Sequence, residues 1–477
     1  MTPITATSGL VHDAKPPKLV VAASSLILAT VMASSGAMAA GDTRFSDFTP
    51  LPSSAGPTAT EATPITFGNP EFQQRSIASV DEQLALGEPN SGVWDMNTVN
   101  ETGPRKGSHL FTPFESGQSG IQRTDLATGE TETIFYSQAP GDYVRWDASY
   151  WTPWGTYLTA EEDWCVDAAG CTTNPYGRLF ELTNPLTADS VTAIGGQDAD
   201  LRHRNVIPRV SHEGIQFDKS LNMYFIDELN GGSLYKYTPT ASWGEIMSGR
   251  ANYFKAGQTF VLRVGSGTTA NATGAFTWVP ITDQDGDALP GALTITDPNG
   301  VKSVDGRNTT NLQAFKGTDY QRPEDLQLQT VKGVERLYMA TTTSNEVYAL
   351  DLAAQRVSVF ANRATTDLAT GTPVGGPTGA GTALASPDNL ALDHDNNLYV
   401  VEDRNGGMDD DIWFARDLNI DGDLADAGEG IGRWASNGTP GSELSGLYFD
   451  PTNKRRAWVN IQHPTSQNDR VMEITIP

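Results

Sequence analysis

The chain has 477 residues, enough to bury a large core, and its 47 glycines and 28 prolines with no long helix-period run describe many short strands joined by turns. A formal charge of −26, from 58 acidic and 32 basic side chains, repels phosphate backbones and anionic lipid. It excludes nucleic acid and membrane surfaces as partners and favours divalent cations.

In chain order, the first feature is a targeting segment. Lys15 and Lys18 precede an apolar run, Leu19 to Met32, and Ala37-Met38-Ala39 supplies small residues for cleavage. Residues 1–39 are therefore expected to be a signal peptide of a periplasmic or extracellular protein. It has no Arg-Arg pair, and no later stretch is long and apolar enough to span a bilayer. Residues 40–90, rich in Pro, Thr, Ser and Ala, read as a loosely ordered arm. Cys165 and Cys171, the two cysteines, lie in one polar loop. In an exported protein that spacing suggests a local disulfide, with a metal-thiolate pair as the weaker alternative.

From residue 91 to the C-terminus a strand-pair motif recurs. Examples are Met223-Tyr224-Phe225-Ile226 followed by Leu234-Tyr235-Lys236-Tyr237, and Leu398-Tyr399-Val400-Val401 followed by Ile412-Trp413-Phe414-Ala415. These β-branched and aromatic runs suit strands. A third element precedes several pairs, anchored at Glu213, Glu324, Asp388 and Ser445, with spacings of 111, 64 and 57 residues. The long first gap is one period plus an insertion around 257–311. A period of this size with three or four strands per unit predicts an all-β, six-bladed β-propeller with loop insertions. Five or seven blades are the alternatives. A pair of β-sandwich domains competes, but gives no reason for the repeat.

The anchors matter chemically because the innermost strand of each propeller blade begins at one mouth of the central channel. Glu213, Glu324 and Asp388 would converge there, and like charges in one space demand a cation. Oxygen donors of this kind suit Ca²⁺. Glu161 and Glu162 end an earlier strand and point to opposite faces, so at most one is a direct ligand. His212 and His463 near blade mouths are either ligands or structural. Arg322, beside Glu324, is either a counterion or a grip for an anionic substrate. Asp417, Asn419, Asp421 and Asp423 alternate as in a calcium loop, with Gly428 at the twelfth position and Glu429 after it. Asp283 to Asp287 is a shorter version. No Gly-x-Ser-x-Gly, Gly-Lys-Ser/Thr or His-Glu-x-x-His motif supports a serine hydrolase, P-loop enzyme or zincin.

Five stretches resemble the PhoX-type alkaline phosphatases. They are Trp151-Thr152-Pro153-Trp154-Gly155 through Ala160-Glu161-Glu162, Ser211-His212-Glu213, Arg322-Pro323-Glu324-Asp325, Ser386-Pro387-Asp388-Asn389 and Asn460-Ile461-Gln462-His463-Pro464. The resemblance implies a six-bladed propeller holding ferric and calcium ions and hydrolysing phosphate monoesters, hence a small phosphorylated substrate. It implies metal ligation by Glu161 or Glu162, Glu213, Glu324 and Asp388, and a phosphate contact from Arg322. Two positions depart from that family: Ala160 stands where it carries a cysteine ligand to iron, and the twin-Arg export signal is missing. The readings that follow are a metal-dependent phosphomonoesterase, a calcium-stabilised propeller that binds without catalysis, and, behind both, a sugar-acid or lactone hydrolase.

Overall fold

A computed structural model describes residues 43–477 except 59, 165–174, 195, 298, 378–382 and 405–409. The signal segment and the Cys165–Cys171 pairing lie outside the described residues. No described helix is long and apolar enough to cross a membrane.

The fold is a β-propeller of antiparallel sheets. In the first sheet the strands Thr98–Val99, His109–Pro113, Gly120–Asp125 and Thr131–Tyr136 lie in chain order. The second holds Tyr150–Trp151, Tyr157–Ala160, Leu179–Leu182 and Leu201–His203 in the same manner. A nine-stranded sheet follows. It runs from Ile215–Phe217 out to Gly257–Val264, crosses Gly274–Pro280, and returns from Arg356–Ala361 to Pro323–Val331. Two further sheets begin at Pro387–Leu392 and Glu443–Phe449. Inner strands Ile215–Phe217, Pro323–Val331, Pro387–Leu392 and Glu443–Phe449 pack one beside the next.

The repeat has a local cause at the hairpin between first and second strands. Asp218 Oδ1 accepts the backbone N–H of Ser220 and Asn222, while its Oδ2 accepts the Asn222 amide and the Tyr224 hydroxyl. Asp393 does the same with Asp395, Asn397 and Tyr399. An Asp with Asn four and Tyr six residues on thus closes the turn and fixes the register of the strand that follows.

Residues 43–90 differ from a loosely ordered arm. Ile65–Phe67 pairs with Gly430–Asn437, and Gln73–Ser79 pairs with the last strand, Arg470–Thr475. The latter contact fastens the two ends of the described chain together and covers an otherwise unpaired edge. Phe45 is buried and meets Phe72, Trp434 and Phe449 edge-on at 5.0–6.1 Å. Aromatic burial of this kind outweighs the low apolar content of the segment. Nor does the insertion begin at residue 257. Gly257–Val264 is the ordinary fourth strand beside Leu234–Pro239, and the added material starts with Gly274–Pro280 and the hairpin Thr294–Thr296/Lys302–Val304.

Candidate metal centre

The inner strands begin at one mouth of a cavity of about 790 Å³. Asp95, Asp147, Glu213, Glu324, Asp388 and Ser445 all line it, each just before or within the start of an inner strand. Val93, Arg145, Arg322 and Ser386, each two residues ahead of one of these carboxylates, have φ of 53°, 44°, 55° and 47°. This left-handed conformation is costly for a side chain with a Cβ and persists only where the surroundings enforce it. It turns the chain sharply just before each carboxylate that lines the cavity.

A second tier stands where the second strands end. Glu115, Glu162, Glu228, Thr342 and Asp403 donate their backbone N–H to the carbonyls of Val93, Arg145, Ser211, Arg322 and Ser386, at 2.7–3.1 Å. One recurring hydrogen bond therefore pins the upper tier to the lower in five places. Glu115, Glu162, Glu228 and Asp403 line the cavity together with Glu443 and Asp163.

The structure brings together three of the residues expected from sequence. One carboxylate oxygen from each of Glu213, Glu324 and Asp388 lies within 4.8 Å of the others. Gly214 allows this: a Cβ there would strike the backbone of Asp325 and Leu326, and the inner strand of the next sheet could not come so close. Asn389 donates its amide to Asp388 Oδ1 at 2.9 Å and to Glu213 Oε1 at 3.4 Å. Glu324 accepts the Thr342 hydroxyl.

Burial, followed by mutual repulsion with neighbouring carboxylates, holds Glu213, Asp388, Asp147 and Glu162 far above their ordinary ionisation range, and burial with Glu228 does so for Glu324. Burial lifts Asp95 to about 6, and burial with the Asp95 charge lifts Glu115 to about 8. Asp147 Oδ1 and Glu443 Oε2 are buried without a partner among the described residues. Close-set, partly unpartnered oxygens of this kind fit a hard cation. The lining supplies oxygen donors and one imidazole, His463.

Glu161 and Glu162 part as strand alternation requires. Glu161 is fully buried away from the cavity, where Arg178 holds it through Nε at 2.8 Å, Nη2 at 2.5 Å and its backbone N–H at 3.1 Å. Glu162 faces the cavity. Ala160 does not line it, and belongs to the apolar cluster of Leu158, Leu179 and Val210. His212 is buried against Phe225 at 5.4 Å, off the cavity, while His463 sits on the rim bonded to Glu443.

Arg322 lines the cavity beside the three carboxylates. Its Nε and Nη2 donate to Glu228 Oε1 at 3.1 and 2.5 Å, and Nε lies 3.2 Å from Glu324. Burial opposes its charge, but Glu324 and Glu228 outweigh that and keep the guanidinium firmly protonated. The loop of Asp417, Asn419, Asp421 and Asp423 is elsewhere and does not line the cavity. Asp417 accepts from the N–H of Asp421 and Gly422, and Glu429 folds back to accept from Leu418 and Asp426.

A β-propeller with a cavity that gathers carboxylates around two guanidinium groups, Arg145 and Arg322, is the class that fold and site define. The family model described as Alkaline phosphatase PhoX matches residues 148–465, more than half of the chain, and the protein belongs to that family. No curated protein matches the chain. Among solved structures, the chain is similar to a luciferin-regenerating enzyme, at 9% identity over 80% of this chain and 91% of that one with a TM-score of 0.39. It is also similar to the Cps50 (Swd1) β-propeller domain of Myceliophteria thermophila, at 11% identity over 80% and 98% with a TM-score of 0.36. Neither likeness bears on activity.

Proposed function

We propose that the protein is an exported, metal-dependent phosphomonoesterase. In this reading residues 1–39 are its signal peptide, and the nine-stranded sheet counts as two of six blades. The observation that carries it is the convergence of Glu213, Glu324 and Asp388 within 4.8 Å, beside Arg322. Those three would hold a cation, with Asp147 and Asp95 from the same ring and Glu162 above them available to further ions. The all-oxygen set of these residues suits Ca²⁺, and Ala160, standing where the family carries its cysteine, faces the apolar cluster and offers iron no thiolate. Bound cations would neutralise the charge that develops on the transferred phosphoryl oxygens.

The chain's own residues do the rest. Arg322 binds a non-bridging phosphate oxygen, with Glu228 fixing its orientation. Buried walls keep these charges in a medium where they act more strongly than in water. Away from the cavity, the Asp417–Asp423 loop is read as a structural calcium turn; Cys165 and Cys171 are read as a disulfide.

The alternative, a calcium-stabilised propeller that binds without catalysis, draws its support from Ala160 in place of the family cysteine. Hydrolysis of p-nitrophenyl phosphate before and after chelation decides between them. The phosphatase reading expects activity that chelation abolishes and Ca²⁺ restores, and a loss of about 10²–10³-fold in kcat for Arg322→Ala. A folded, calcium-loaded protein without activity would leave the binding propeller.

A further inference from the structure

Trp164 stands at the rim of the cavity, 40% exposed, with its indole under the Arg322 guanidinium: Cζ lies 4.4 Å from the ring centroid. Its Nε1–H donates to Glu228 Oε2, which also accepts the Ser211 hydroxyl at 3.3 Å. The other oxygen of Glu228 takes Nε and Nη2 of Arg322. Glu228 is buried, and both its oxygens are occupied by these donors. Indole, carboxylate and guanidinium therefore form a closed three-part clamp. Arg322 leaves the backbone at φ 55°, immediately before Pro323, so its side chain starts from a conformation that few residues adopt there. With Nε and Nη2 committed, Nη1 is the nitrogen of Arg322 without a partner among the described residues.

We infer that Trp164 is a positioning residue for phosphate: it holds the Arg322 guanidinium from one face so that Nη1 stays presented to the cavity. The inference rests on the phosphatase reading and deepens it. Stacking on an aromatic face restrains a guanidinium without consuming its donors, which a carboxylate alone cannot do. A long side chain held only along its Nε edge, by Glu228 and Glu324, could still tilt about that edge. The indole against its face removes that tilt and lowers the ordering cost when an oxyanion arrives.

The test uses the full mature protein loaded with Ca²⁺, comparing wild type with Trp164→Ala and Trp164→Phe. Inorganic phosphate is the probe, as inhibitor of p-nitrophenyl phosphate hydrolysis and as ligand in calorimetry. For Trp164→Ala, the phosphate Ki, the calorimetric Kd and KM should all rise about tenfold, the scale of a partly desolvated cation–π contact. Metal content should stay at the wild-type value, and any fall in Tm should be small and equal in the two variants, since both remove the same Nε1–H donor while Ser211 still donates to that oxygen. Trp164→Phe keeps the aromatic face and should recover most of the affinity. Phosphate binding unchanged in Trp164→Ala overturns the inference while leaving the phosphatase reading intact. So does a Trp164→Phe variant as weak as the alanine, since the ring face would then not be what matters. A wild-type protein that neither hydrolyses the ester nor binds phosphate overturns both.

Discussion

Asn389 reaches across from one sheet to the next, donating to Glu213 Oε1 at 3.4 Å while it also holds Asp388 Oδ1 at 2.9 Å. Its own carbonyl oxygen accepts the backbone N–H of Gly446, 2.6 Å away, on the inner strand that follows. One buried amide thus ties three inner strands together at the level of the carboxylates.

Asn389→Ala should therefore weaken calcium binding by about 10–100-fold, as loss of an outer ligand support does. Calcium titration calorimetry on chelated protein reads this directly. An unchanged Kd would show that Glu213 and Asp388 hold their places without the amide.

The metal-free protein should lose stability as pH rises. Asp95 goes from its ordinary 3.8 to about 6, and Glu115 from 4.5 to about 8, both chiefly through burial. Between those limits the folded state holds protons that the unfolded state has released. The stabilisation is present below the unfolded pKa values and is lost as pH climbs through the folded ones. Thermal unfolding in chelator should give a Tm several degrees higher at pH 5 than at pH 8. With saturating Ca²⁺ the order should reverse, since ligating carboxylates must be ionised. A chelated protein more stable at pH 8 would contradict the carboxylate ring.

Arg178→Ala should destabilise the fold by roughly 3–5 kcal/mol, because it strands the fully buried Glu161 carboxylate. Calcium stoichiometry should not change. Glu162→Gln should do the reverse, lowering calcium affinity at little cost in Tm. Denaturant melts paired with elemental analysis separate the two, and loss of metal in Arg178→Ala would place Glu161 at the centre instead.

Ala160→Cys should take up no additional iron. Its side chain would enter the cluster of Leu158, Leu179 and Val210, at an overpacking cost of about 1–3 kcal/mol. A rise in iron on elemental analysis would show that β-strand Tyr157–Ala160 turns this position toward the cavity.

What was legible in the sequence follows from what repeats. Glu213, Glu324 and Asp388 stand at one slot of a recurring strand, so spacing alone found them. Asp95 and Asp147 occupy the same slot. They carry no such signal, because the inner strands behind them, Thr98–Val99 and Tyr150–Trp151, are too short to show a period. Stepping back about one period from Glu213 reaches Asp147, and another reaches Asp95. Glu115, Glu228 and Asp403 carried a weaker signal, since each closes a second strand with an acid just as Glu162 does. Only the shared backbone bond to the preceding inner strand shows that these four are equivalent. Composition misled over residues 43–90, where Phe45, Phe67 and Phe72 pack around Trp434 despite the Pro- and Thr-rich surroundings.

The central claim is that activity depends on a cation held by Glu213, Glu324 and Asp388. Calcium dependence of p-nitrophenyl phosphate hydrolysis, measured in parallel for chelated wild type and Glu324→Gln, tests it most directly. The account predicts that wild type regains full activity as Ca²⁺ is added. Glu324→Gln, folded to the same Tm in chelator, should need at least about tenfold more calcium and reach a much lower plateau. Superimposable calcium curves and equal plateaus for the two proteins would contradict it.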